Sequence, residues 1–199
     1  MQPDDEKIEN MNEKVEQQAA EADENRLIAE RRTKLEALRE QGQAFPNDFR
    51  TNAVSHDLHT RFCDALTEEL EDIEETFSVA GRMMAKRVMG RIAFVRLQDA
   101  GGAIQLMIQR DNLPDGLFAD FKHWDLGDIV GASGRITRTQ KGELSIRVSE
   151  LRLLSKSLRP LPEKYHGLTD TEARYRQRYV DLIMSEESRE VFRTRSKII

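Results

Sequence analysis

Between Phe77 and Leu154 the chain alternates apolar and polar residues in five separate runs, interrupted by a single helical interval. Alternation places every second side chain on one face, so each run buries one side and must pair with neighbours to satisfy its backbone. The runs are Phe77–Met89, Ile92–Asp99, Ala103–Gln109, Asp128–Thr137 and Glu143–Leu153. Ala100-Gly101-Gly102 and Lys141-Gly142 carry turn chemistry between the second and third and between the fourth and fifth runs. Between the third and fourth, Leu117, Phe118, Phe121 and Trp124 recur at helical spacing after Pro114-Asp115-Gly116. The order is therefore β-β-β-α-β-β.

That connectivity is the OB-fold, a five-stranded Greek-key barrel that binds oligonucleotides across strands two and three and the loops joining strands 1–2 and 4–5. The expected fold class is thus mainly β with flanking helices. Pleat alternation assigns the faces. Ala93, Val95 and Leu97 form a core set on the second strand, Ile104, Leu106 and Ile108 on the third, and Leu144, Ile146 and Val148 on the fifth. The opposite faces carry Ile92, Phe94, Arg96 and Gln98, then Gln105, Met107 and Gln109, then Glu143, Ser145 and Arg147. Phe94 therefore sits among arginine and glutamine, on the wrong side for a core ring. A ring flanked by guanidinium and amide groups suits stacking on an unpaired base. The competing reading is that a helix preceding the barrel covers it, or that the register is shifted by one.

The flanks read differently. Residues 1–24 hold nine acids and two bases with few aliphatics, and are expected to form an acidic, disordered tail. Residues 25–75 form a helical preface. Leu27, Ile28, Arg31, Leu35 and Leu38 share a helical face, with Asn25 as a cap and Gly42 just past the end. A second helix from Ser55 presents Leu58, Phe62, Leu66 and Leu70. The barrel is assigned to residues 76–155. Leu158-Arg159-Pro160-Leu161-Pro162 then reads as an extended linker, Thr169-x-x-Glu172 as a capping box, and Ser185 as the cap of a further helix. That last helix meets no Gly, Pro or polar brake at Ile199, as expected of a sequence that continues in its parent.

Charge supports a polyanion partner once it is divided along the chain. The whole carries −5, yet residues 1–75 carry 9 bases against 21 acids, and residues 76–199 carry 22 against 15. Arg82, Lys86, Arg87, Arg91, Arg96 and Arg110 fall within residues 81–110, where Asp99 is the one acid. A polyanion responds to the local field rather than to the net charge.

Longer stretches are similar to a known family. Arg39-Glu40-Gln41-Gly42 leading to Phe45-Pro46-Asn47, then Val79-Ala80-Gly81-Arg82-Met83, Asp125-Leu126-Gly127-Asp128-Ile129 and Gly142-Glu143-Leu144-Ser145-Ile146, all resemble class IIb aminoacyl-tRNA synthetases, specifically the bacterial-type lysyl enzymes. The most specific segment is His166-Gly167-Leu168 through Arg174-Tyr175-Arg176-Gln177-Arg178-Tyr179-Val180-Asp181-Leu182. The resemblance implies that Phe94 stacks on the central anticodon uridine, that Gln105 and Arg87 contact that base, and that Glu143 contacts the anticodon. Uracil offers one N–H donor and two carbonyl acceptors, which an amide and a guanidinium satisfy. Lys86, Arg91 and Lys141 lie in or near the two binding loops and are expected to hold phosphates.

The same resemblance implies a parent that joins lysine to tRNA(Lys) with ATP and Mg2+, works as a homodimer and sits in the cytoplasm. Residues 156–199 would be its linker and the incomplete start of its catalytic domain. No class II motif is complete here, and Phe192-Arg193-Thr194-Arg195 imitates an F-R-x-E pattern without its glutamate. This span alone is therefore expected to bind no cofactor and to be inactive as a ligase. The alternatives are a free-standing module for tRNA or single-stranded nucleic acid, or a protein-interaction module.

Other chemistries find little support. His56, His59 and Cys63 share one helical stripe and cannot wrap a tetrahedral ion, so no metal is expected. Phosphate-cradling glycine motifs are absent, one cysteine cannot form an internal disulfide, and no apolar run approaches the length of a bilayer crossing. The acidic start carries no secretory or transit signal.

Overall fold

The computed structural model describes residues 3–42, 44–162 and 171–199. Its centre is a closed barrel of five strands in the order β1-β2-β3-β5-β4. These are β1 (Thr76–Met89), β2 (Ile92–Gln98), β3 (Ala103–Gln109), β4 (Ile129–Arg138) and β5 (Leu144–Ser155). The long β1 pairs antiparallel with β4 through Thr76–Arg82 and with β2 through Arg82–Met89, so one strand serves two neighbours. A parallel pairing of β3 with β5 closes the barrel. Each strand lies within two residues of its expected bounds.

The alternation pattern determines the core. Ala93, Val95, Leu97, Ile104, Leu106, Ile108, Leu144, Ile146 and Val148 are all buried, as their positions require. Phe118 and Phe121 of the intervening helix α4 (Leu117–Lys122) join the same cluster, with Trp124 packed edge-on against Phe121 at 5.6 Å. Opposite the β5 bulge at Ser149, Gly134 of β4 permits a close approach: a Cβ there would lie 2.8 Å from the carbonyl carbon of Arg147 on β5.

Three expectations about the flanks change. Helix α1 runs unbroken over Pro3–Gln41, taking in the residues expected as a disordered tail. Its early residues are mostly Glu, Gln, Lys, Asn and Ala without an internal Gly or Pro, so local propensity sustains the helix, and Pro3 suits its first position. Asn25 consequently lies inside α1 rather than capping it. The helix expected from Ser55 is two: α2 (Ser55–Arg61) and α3 (Thr67–Glu71). The break at Phe62 keeps Leu58, Phe62 and Leu70 buried but turns Leu66 outward, where it is 66% exposed. The new start is held by the Glu69 carboxylate, which accepts the Leu66 N–H at 2.8 Å. Ser55 is tied instead to the β2–β3 turn, since the Asp99 carboxylate accepts its N–H at 2.7 Å and its hydroxyl at 2.5 Å.

A buried ionic cluster fixes α1 to the barrel. Asp128, fully buried before β4, accepts from Lys156 Nζ just after β5 at 2.7 and 2.9 Å, and from the Ser157 and Asp125 N–H groups at 2.8 Å. Lys156 also reaches Asp125 at 2.5 Å, and Lys34 of α1 donates to Asp125 at 2.8 and 3.0 Å. One turn earlier Arg31 donates to the carbonyls of Ser157 and Arg159, both at 3.1 Å.

Residues 161–199 form a separate compact unit. It contains α5 (Thr171–Arg176), α6 (Arg178–Met184) and α7 (Glu186–Ile198). The run expected as one helix through Leu182 breaks at Gln177, which leaves helical geometry at φ −113°, ψ 51°. The buried Asp181 accepts from Arg174 at 3.1 Å and from Arg178, and the Ser185 hydroxyl caps α7 by accepting the Ser188 N–H at 3.1 Å. The proposed cap Thr169 lies outside the described residues.

Removing Asp128 leaves the buried Lys156 ammonium with Asp125 as its one carboxylate and frees the Ser157 and Asp125 N–H groups, so Asp128→Ala should cost about 3 kcal/mol in urea unfolding. Asp125 behaves differently with pH. Burial would raise its pKa, but hydrogen bonds from Lys156 and Lys34 outweigh burial and hold it below the ordinary 3.8. Its contribution is complete above that unfolded value and fades as the pH falls through the depressed folded pKa. Asp125→Asn should accordingly flatten the acid side of the stability profile measured by thermal unfolding.

Candidate nucleic-acid interface

Strand register converts the outward residues into a grid. Across one row, Arg87 of β1, Phe94 of β2, Met107 of β3, Arg147 of β5 and Arg135 of β4 are successive Cα partners. The adjacent row runs Ala85, Arg96, Gln105, Ser145, Thr137. On the other side, Met89, Ile92 and Gln109 follow one another towards the β1–β2 hairpin tip. Direct antiparallel partners hold their Cβ atoms about 4.5–5.5 Å apart, and the parallel β3–β5 pairing continues each row across the sheet.

Phe94 is half-buried on this outer face, among polar and apolar neighbours, and its register agrees with the pleat reading. Arg87, opposite it on β1, is exposed. Gln105 lies one row away and donates from Nε2 to the Ser145 hydroxyl at 2.9 Å, while that hydroxyl donates to the Glu143 carbonyl at 3.1 Å. This relay holds the amide across the sheet and ties it to the β4–β5 loop. It also corrects one expectation: Ser145 faces outward yet is fully buried, because the Gln105 side chain lies over it.

The loop residues Lys141 and Glu143 are exposed beside Gly142, whose φ of +83° makes the tight turn possible. Thr139 and Glu143 clasp the loop base, with the Thr139 N–H donating to the Glu143 carbonyl at 3.0 Å. Arg138 anchors the loop from below, donating to the Gly142 and Phe62 carbonyls at 2.9 Å each.

Of the expected phosphate ligands, Lys86 is placed differently. Lys86 pairs with core-facing Val95, on the face of β1 opposite to Arg87. Its ammonium donates to the carbonyls of Lys122 at 3.0 Å and Trp124 at 2.5 Å, at the end of α4. Burial depresses its pKa. Proximity to the loop suggested a phosphate contact, but pleat parity turns the side chain inward. Arg91, at the hairpin turn, is ion-paired with Asp111 in an exposed pair. Exposed pairs of this kind are weak and readily exchanged. His59 Nε2 contacts the Ala103 carbonyl at 3.0 Å and Cys63 Sγ donates to Asp64 at 3.2 Å. Among the described residues no three His, Cys, Asp or Glu side chains converge on a metal site, and no helix is long and apolar enough to cross a membrane.

Arg96, Met107, Arg147 and Arg135 complete the outer face but were absent from the residues singled out by sequence. Parity alone put the first three outward. Their adjacency to Phe94 and Gln105 depends on the strand pairing, including the parallel β3–β5 contact.

The barrel with this outward ring and amide matches, over residues 77–154, the tRNA anticodon family, described as an OB-fold nucleic acid binding domain. Residues 77–154 are similar to that family. That match lies within a longer similarity. The chain is 59% identical over 177 residues to a lysine–tRNA ligase of Thioalkalivibrio sulfidiphilus, covering 89% of this chain and 36% of that protein. It is 55% identical over 183 residues to that of Psychromonas ingrahamii, and 58% identical over 189 to that of Salmonella arizonae. These two alignments cover 92% of this chain and 36% and 37% of the relatives. The chain thus spans about a third of the length of the curated relatives it matches.

Because Lys86 fastens α4 to the barrel, Lys86→Gln should lower unfolding stability by about 1.5 kcal/mol, the low end for charge-assisted hydrogen bonds. The salt dependence of RNA binding by the same variant should stay at the wild-type slope.

Proposed function

We propose that this chain is the anticodon-recognition part of a lysine–tRNA ligase. The carrying observation is Phe94: a ring held on the outer face of the barrel, opposite Arg87 and one row from Gln105. The ring stacks on the central uridine of the anticodon. Gln105 and Arg87 meet its Watson–Crick edge, and Glu143 reaches a neighbouring anticodon base from the β4–β5 loop. Arg91 and Lys141 hold phosphates at the rim, Arg91 by exchanging Asp111 for the RNA. Lys86, engaged with α4, is withdrawn from that role. Anticodon pairing positions the acceptor end of tRNA(Lys) in the distant active site of the parent.

Lysine attachment, with ATP and Mg2+, belongs to the remainder of that parent, a cytoplasmic homodimer. Residues 156–199 supply its linker and the first helices of its catalytic domain. No class II motif is complete in them, which supports a span without ligase activity. The similarity to ligases across about nine-tenths of the chain favours this reading over a free-standing binding module.

Stacking on a single-stranded base is worth about 1–3 kcal/mol. Phe94→Ala should therefore weaken binding of an anticodon stem-loop bearing UUU by roughly five- to a hundredfold in a fluorescence-anisotropy titration. The wild-type chain should prefer UUU to UGU, and Gln105→Ala should erode that preference. Equal affinity for the two loops, or no loss on removing the ring, would sink the proposal.

A further inference from the structure

We infer that Arg147 and Arg135 continue the interface around the barrel as a phosphate track for the RNA strand whose base stacks on Phe94. The inference rests on the anticodon reading above and extends it to two strands outside the β2–β3 platform. Beyond Phe94 the row passes through Met107 to Arg147 and then Arg135. Strands lie about 4.8 Å apart, so these guanidiniums originate about 10 and 14 Å from Phe94 along the sheet.

Arg135 and Arg147 are direct cross-strand partners and both are exposed. Like charges placed directly opposite one another destabilise an antiparallel pair. Among the described residues neither has a carboxylate partner, and the one polar contact is from Arg147 to the Thr137 hydroxyl at 3.4 Å. Arg91 pairs with Asp111 and the half-buried Arg152 with Asp48, whereas the exposed Arg87 and Arg96 of the same outer face, like Arg135 and Arg147, have no carboxylate partner among the described residues. The juxtaposition is also imposed by the backbone. The β5 bulge at Ser149, opposite the Ser133–Gly134 step of β4 and with Gly134 pressed against the Arg147 main chain, sets Arg135 opposite Arg147. Two unneutralised guanidiniums held side by side, in line with a base-stacking ring, are complementary to successive phosphates of one strand. Guanidinium geometry suits bidentate phosphate contact. Met107 between them and Phe94 provides an apolar step on which the sugar or the next base rests.

The test is the salt dependence of binding by the full chain to the UUU anticodon stem-loop, titrated by anisotropy over a KCl series. Each phosphate contact with single-stranded nucleic acid contributes a slope of about 0.7 in log K against log salt. Arg147→Gln and Arg135→Gln should each flatten the slope by about that amount and weaken UUU and UGU loops equally. Phe94→Ala should reduce affinity at unchanged slope. Thermal unfolding guards against misfolding, and Arg135→Gln should melt at or above the wild-type temperature because a like-charge contact is removed. Wild-type slopes in both arginine variants, with the UUU preference intact, would overturn the phosphate track alone. Loss of any UUU preference in the wild type, with flattened slopes in the variants, would overturn the anticodon reading and leave the track standing.

Discussion

The Lys156 ammonium, enclosed by the carboxylates of Asp125 and Asp128, joins parts of the chain that share no local pattern. Asp128 precedes β4, Lys156 follows β5, Asp125 follows α4, and Lys34 brings in α1. A buried ion pair contributes little net stability, because desolvation offsets much of the attraction. Its effect is instead on which arrangement is allowed. Any slip of β5 against β4, or of α1 along the barrel, leaves a charge in the interior without its partner. Asp128 also accepts two backbone N–H groups, so the same carboxylate sets the entry to β4 and the exit from β5.

That constraint matters for the outer face because the face is a matter of register. Phe94 opposes Arg87, and Gln105 reaches Ser145, when β1–β2 and β3–β5 hold their observed alignments. A one-residue slip would carry each of these side chains into the core. The Gln105–Ser145–Glu143 relay then links the alignment to the β4–β5 loop, and Arg138 links the loop to α2 through the Phe62 carbonyl. The side chains proposed to recognise RNA are thus carried on a sheet with hydrogen-bonded supports, which would lower the entropy lost on binding.

Charge follows the same division between interior and surface. Lys86 and Arg87 are adjacent in sequence and equal in formal charge, yet one is spent on the carbonyls ending α4 and the other faces solvent beside Phe94. Counting bases along the chain gives a net charge, but pleat parity decides which bases can meet a ligand.

Within the barrel the sequence by itself determined much: the five strands, the helix between the third and fourth, the inward set from Ala93 to Val148, and the outward position of Phe94. Those features follow from a two-residue period and from turn chemistry, which act over a few residues. It misjudged α1, whose polar early residues lack a core-facing stripe but keep high helix propensity, and it joined α2 to α3 across the turn after Phe62. Tertiary structure alone decided which outward residues are neighbours. Arg147 is some forty residues from Met107, and their adjacency arises from a parallel closure that no local periodicity encodes. The burial of Ser145 and the meeting of Arg135 with Arg147 have the same origin. Each depends on strands brought together over long stretches of chain, where packing and the buried Lys156 cluster, rather than local preference, select the register.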